Sequence, residues 1–168
     1  LDPLAQEISI DAGTFPQGVF LRSIDLFFQK VDTNIPVNIH IRPMINGAPH
    51  DFLVLPDSEI TVKPTVVGDG PQFSQKTNFK FRNPVYCPPG NWAVCVSSNS
   101  SDNVLFVSEI GQVWLDSNGA QNTDSYEVTD MKGNGIRLKG ILKPLNNGSR
   151  VKESGSNLMM SINRCQFT

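Results

Sequence analysis

The sequence has little of what catalysis and metal binding usually draw on. It holds 2 histidines and 3 cysteines in 168 residues, with no Cys-x-x-Cys spacing. Zinc sites need a closer arrangement of such ligands. No G-x-S-x-G, H-E-x-x-H, phosphate-binding loop or dinucleotide fingerprint occurs, so no nucleophile, base and orienting group stand out as a set. The expectation is a chain that is not an enzyme and that uses no cofactor and no metal. His40 falls on the polar side of an alternating segment and is expected as a solvated surface histidine, while His50 follows Pro49 in a turn.

Charge of one sign is missing too. Lys and Arg number 14 against 16 Asp and Glu, a net charge of −2. The densest basic stretch, Arg137 to Lys143, alternates like a strand and has no interleaved aromatics, so nucleic acid is not expected as a partner. There is no run of about 18 apolar residues, so membrane insertion by a helix is not expected, and no signal-peptide pattern opens the chain. The start, Leu1-Asp2-Pro3, lacks Met and reads as the entrance to a folded unit; the expectation is a fragment or processed part of a longer chain.

What is present is turns and period-two alternation. The 13 glycines and 12 prolines suit short strands. Ile24, Leu26 and Phe28 alternate with Asp25 and Phe27, and Val37, Ile39 and Ile41 with Asn38, His40 and Arg42. The same rhythm runs through Ile60 and Val62, Phe79 and Phe81, Trp92, Val94 and Val96, Val104 to Val107, Ile136, Leu138 and Gly140, and Leu158, Met160 and Ile162. Side chains two apart share a sheet face, so each row marks a strand with one buried side. Turn chemistry separates the rows at Asn46-Gly47, Pro56-Asp57-Ser58, Gly68-Asp69-Gly70-Pro71, Pro88-Pro89-Gly90-Asn91 and Asn147-Gly148-Ser149. No window carries a sustained helical period. The pattern predicts an all-β chain, an antiparallel β-sandwich of jelly-roll type, as a single domain over 1–168. At this length about 70% of the unfolded surface is buried, so no disulfide staple is needed. Cys95 lies in a buried-strand pattern, where packing is its expected role; the spacing also allows a Cys87–Cys95 bridge.

Residues 112–134 break the rhythm as a polar loop excursion with room for a short hairpin, and long loops within a domain are often functional. Trp114 and Tyr126 flank it. With Asp116, Asn118, Gln121 and Asn122 they form the candidate glycan-binding set, since aromatic faces stack on sugars while nearby amides and carboxylates bond the hydroxyls. The competing reading has both aromatics plugging the loop onto the sandwich, the indole N–H then needing a partner. Asp116-x-Asn118-Gly119 has the opening spacing of a calcium loop but lacks the distal Glu, and an Asx-turn is the simpler expectation. Trp92, in step with Val94 and Val96, belongs to the core.

Several segments together resemble a module found in virion proteins of tailed bacteriophages, cyanophages and T4-like phages among them. They are Asp2-Pro3-Leu4-Ala5-Gln6, Gly18-Val19-Phe20-Leu21-x-x-Ile24-Asp25-Leu26-Phe27-Phe28, and Ile35-Pro36-Val37-x-Ile39-x-Ile41-Arg42. Asn46-Gly47-x-Pro49, Leu55-Pro56-x-Ser58-Glu59-Ile60, Pro84-Val85-Tyr86-x-x-Pro89-Gly90 and Val107-Ser108-x-Ile110-Gly111 follow. The likeness closes on Gly140-Ile141-Leu142-Lys143 and on Leu158 to Phe167. It does not extend to 112–134 or to Val67–Gln75. The resemblance implies a structural part of a phage tail, baseplate or fibre apparatus, assembled in the host cytoplasm, with other virion proteins as partners and homo-oligomers in keeping with tail symmetry. It brings no catalytic residues. The alternative is a module of the adsorption apparatus that binds a host-surface glycan or receptor.

Overall fold

A computed structural model describes residues 4–64, 76–109, 114–115, 121–122, 136–144, 150–153 and 155–165. Among these the chain is all β, without a helix. The strands run β1 (Leu4–Ile10), β2 (Val19–Lys30), β3 (Val37–Ile45), β4 (Ala48–Pro49), β5 (Ile60–Val62), β6 (Lys76–Cys87), β7 (Gly90–Ser98) and β8 (Val104–Leu105). They continue as β9 (Val107–Glu109), β10 (Trp114–Leu115), β11 (Gln121–Asn122), β12 (Ile136–Pro144), β13 (Arg150–Glu153), β14 (Ser156–Leu158) and β15 (Met160–Arg164).

A large sheet of 7 strands has the order β13-β12-β1-β7-β3-β4, with β5 also on β3. A smaller sheet of 4 strands has the order β15-β2-β6, with β8 also on β2. Every pairing is antiparallel. The alternating rows explain why two sheets form. Val37, Ile39, Ile41, Val94 and Val96 from the large sheet meet Ile24, Leu26, Phe28, Phe79, Phe81 and Ile162 from the small one in one buried cluster. Taking such side chains out of water supplies about 1.5–3 kcal/mol each, the main stabilising term of a sandwich.

The turns follow their sequence chemistry. Asn46 and Gly47 both have positive φ, 52° and 78°, the arrangement of a type I′ hairpin joining β3 to β4. Asp57 has φ 65°, and Ser58 N donates to Leu55 O at 3.2 Å, as in a turn with Pro56 leading.

Three strands depart from strict alternation, and each departure is a bulge. In β12, Gln6 faces Ile141 and Ile8 faces Leu138, so Lys139 and Gly140 together oppose Glu7. The inward row of Ile136 and Leu138 therefore passes to Ile141 and not to Gly140, where strict alternation placed it. Gly140 takes φ 109°, and its N–H donates to Asn157 Oδ1 at 2.8 Å. Two further bulges, in β2 and β6, meet at Arg22. Val19 and Leu21 point inward, then Ile24, Leu26 and Phe28 do; one extra residue resets the phase.

The cysteines are free, so Cys87 and Cys95 form no bridge. Sheet parity is the reason. Cys87 packs in the main core, whereas Cys95 lies with Ala5, Ala93 and Leu142 in a second cluster. Val94 and Val96, its neighbours in β7, are the residues of that strand that face Cys87's side.

Candidate functional site

Of the residues expected to bind a ligand, Trp114 and Asn122 are paired across β10 and β11, and Leu115 is paired with Gln121. The hairpin thus brings Trp114, Gln121 and Asn122 to one short ribbon. Asp116, Asn118 and Tyr126 lie outside the described residues, as do residues 67–75. Among the described residues, no group of three or more His, Cys, Asp or Glu side chains could hold a metal ion.

The most distinctive described surface lies instead beyond the β3–β4 hairpin. Phe52, Leu53 and Val54 follow one another in the connection to β5, exposed to 85%, 57% and 36%. Ile45, at the hairpin, is also exposed. Single exposed apolar residues are ordinary, but a contiguous group marks an interaction surface.

The loop that presents them is tied down from beneath. His50 N donates to Pro43 O at 2.8 Å, and Leu55 N donates to Ile41 O at 2.8 Å, anchoring both ends to β3. Between the anchors, Phe52 N and Leu53 N both donate to His50 Nδ1 at 3.0 Å. Arg42 Nη1 donates to His50 O at 2.9 Å and to Asp51 O at 2.8 Å. The His50 ring meets Phe52 edge-on with centroids 6.1 Å apart. Four backbone N–H groups and two carbonyls of the segment His50 to Leu55 thus have a named partner.

Arg42 is itself held. Its Nε donates to His40 Nε2 at 2.8 Å, so that nitrogen is unprotonated and Nδ1 carries the proton toward Asn38 Oδ1 at 3.3 Å. Asn38 Nδ2 in turn donates to Glu59 Oε1 at 3.2 Å and to Thr61 Oγ1 at 2.9 Å. Burial pushes the His40 pKa below its usual value; the Arg42 charge pushes the same way, and Glu59 opposes both. His40 is therefore not the solvated residue that alternation suggested. Its strand face is polar, yet it is half-buried with Asn38 and Arg42 on its two ring nitrogens, and it serves as the acceptor that fixes Arg42.

One signal of this site lies in the sequence outside the alternating rows. Phe52-Leu53-Val54-Leu55 is apolar without the period of either a helix or a half-buried strand, and it is bounded by His50-Asp51 and Pro56-Asp57. The chain matches no known protein-family model, no curated protein and no solved structure.

Proposed function

We propose that this chain is a non-enzymatic interaction module that holds a second protein against the Phe52–Leu53–Val54 loop. The observation that carries the reading is the combination of exposed apolar side chains with a backbone already fixed by Arg42 and His50. Ordering a loop on binding costs free energy, and a loop ordered beforehand avoids that cost. A few side chains packed near the centre of an interface contribute most of its energy, and Phe52 is the large, most exposed ring of this loop. The resemblance to tailed-phage virion modules supports placing the partner among tail, baseplate or fibre proteins.

The test is coexpression with the proteins encoded beside it, followed by size-exclusion chromatography of the native chain and of a Phe52→Ser/Leu53→Ser variant. The native chain should co-elute with one neighbour, and the variant should elute alone with an unchanged circular dichroism spectrum. Co-elution that survives the double substitution would move the contact elsewhere.

A further inference from the structure

A second surface, on the outward face of the small sheet, has the opposite character. The two bulges of β2 and β6 coincide there. On the β15 side, Asn163 faces Ser23 and Arg164 faces Leu21, which leaves Arg22 as the extra residue. On the β6 side, Leu21 faces Val85 and Ser23 faces Lys80, so the segment Phe81-Arg82-Asn83-Pro84 stands opposite Arg22 alone. Strands that part in this way open a hollow in the sheet surface. A cavity of about 540 Å³ lies at the spot, lined by Arg22, Lys80, Phe81, Arg82, Pro84, Arg164 and Cys165.

The charge of that hollow is one-sided. The described residues that line it include three arginines and a lysine and no carboxylate, in a chain whose net charge is −2. Among the described residues the ion pairs are Lys30–Asp102, Lys76–Asp25, Lys143–Glu153 and Lys152–Glu7, and none involves Arg22, Lys80 or Arg82. Asp25, on the same outward face, is occupied by Asn78 Nδ2 at 2.7 Å and Asn163 Nδ2 at 3.0 Å. The Arg164 guanidinium sits over the Phe15 ring, 4.8 Å from its centroid, which holds the charge at the rim. Arg22, Lys80 and Arg82 are like charges held close together, and an anion relieves their mutual repulsion.

Beside the hollow the outward face turns aromatic. Phe20 and Tyr86 face each other across β2 and β6 with ring centroids 5.2 Å apart, and they are exposed to 41% and 45%. Tyr86 is steadied by its hydroxyl, which donates to Gln17 O at 2.9 Å. Ring faces of this kind stack on sugars. Guanidinium groups grip planar or tetrahedral oxyanions with paired hydrogen bonds.

We infer that the cavity at Arg22, Lys80, Arg82 and Arg164 is a binding site for a sugar bearing sulfate or phosphate groups, with Phe20 and Tyr86 as its stacking platform. The volume falls in the range of small-ligand pockets, about 300–1,000 Å³, larger than one oxyanion needs. A single focus of charge with one aromatic pair suits a short anionic sugar. Single-stranded nucleic acid calls for a groove with a succession of stacking rings. This site is separate from the Phe52 loop and does not depend on the assembly reading.

Calorimetric titration with a sulfated disaccharide, its desulfated counterpart, a sugar phosphate, inorganic sulfate and a short single-stranded oligonucleotide tests the inference. The sulfated or phosphorylated sugar should bind and the neutral one should not. Arg22→Gln/Arg82→Gln should weaken binding by about tenfold or more, as expected for lost charge-assisted hydrogen bonds. Arg137→Gln/Lys139→Gln, which removes the same charge from another strand, should leave it unchanged. Tyr86→Ala should weaken the sugar more than free sulfate. Equal loss in both double variants would mean diffuse charge and overturn the site; equal binding of inorganic sulfate or of the oligonucleotide would overturn the sugar.

A second readout uses Cys165, which lines the cavity. Iodoacetate and iodoacetamide both react with the thiolate, so their rate ratio cancels its protonation and reports the local field. Relative to a cysteine peptide, the ratio should be raised about threefold or more at low ionic strength, where fields are least screened. It should fall in Arg22→Gln/Arg82→Gln. A peptide-like ratio in the native chain would overturn the cationic site.

Discussion

Gln6 and Asn157 meet as a buried amide pair, Gln6 Nε2 donating to Asn157 Oδ1 at 2.9 Å. Asn157 Oδ1 also accepts from Gly140 N, and Gln6 Oε1 accepts from Leu158 N at 2.7 Å. The pair therefore satisfies the backbone that the β12 bulge and the β14–β15 corner leave unpaired inside the protein. Asn157→Ala strands Gly140 N and one hydrogen of Gln6 Nε2, whose other hydrogen stays on Glu7 O at 3.0 Å, and buried unsatisfied groups cost about 1–3 kcal/mol each. Urea unfolding should show a loss of about 2–4 kcal/mol for this variant. The Gln6→Ala/Asn157→Ala double variant should lose less than the sum of the singles; strict additivity would mean that the two side chains act independently.

Two glycines with nearly the same backbone should respond differently to alanine. Gly18 has φ 77°, and a Cβ there would stand 2.5 Å from Cys87 O. Gly47 has φ 78° with nothing within 4 Å. Gly47→Ala should cost about 1 kcal/mol, the ordinary left-handed penalty. Gly18→Ala adds a backbone clash at the start of β2, and thermal melts should place it well below Gly47→Ala. Equal melting temperatures would refute the clash.

The His40–Arg42 contact makes stability depend on pH. The folded-state pKa of His40 lies below its usual 6.5, so between the two values the unfolded chain binds more protons than the folded one. Its stabilising contribution is therefore complete above 6.5 and declines as pH falls below it. Protonation also removes the acceptor for Arg42 Nε. Hydrogen exchange of the Phe52 and Leu53 amides should accelerate on going from pH 7.5 to 5.5, after correction for intrinsic rates. His40→Gln should flatten the acid slope of stability in this window; an unchanged slope would assign it to another group.

Thiol chemistry should separate the cysteines. Burial pushes the Cys87 pKa up to about 12, and Cys95 is also buried, whereas Cys165 is partly exposed. A native-state titration with an aromatic disulfide reagent should therefore modify Cys165 rapidly and spare the other two. All 3 cysteines should react in denaturant. Rapid native reaction at Cys87 or Cys95 would contradict the packing.

The strand rows were legible because burial on one face writes period two into the sequence, and Val37-Ile39-Ile41 or Leu158-Met160-Ile162 carry it without interruption. The bulges were legible in retrospect. Leu21-x-x-Ile24 is a phase slip, and Pro84 within a strand marks the same kind of irregularity. Surroundings were harder to read. His40 occupies a polar position, yet it is half-buried, with Asn38 and Arg42 on its ring nitrogens. The cationic cavity could not be read at all from spacing, since Arg22, Lys80, Arg82 and Arg164 converge only through the order β15-β2-β6. The basic stretch at Arg137–Lys143 looked denser along the chain, but the bulge at Lys139 and Gly140 puts Lys143 out of phase with Arg137, and Lys143 is paired with Glu153.

The place of β1 has a consequence for biosynthesis. It lies between β7 and β12, both of which follow it by many residues, so a ribosome delivers this central strand long before either neighbour. Until Ile136–Pro144 has emerged, the nascent chain presents β1 with at least one bare flank. Completion of the large sheet is thus a late event, and a stalled or prematurely ended chain would carry a sticky hydrogen-bonding edge of the kind that chaperones and proteases recognise.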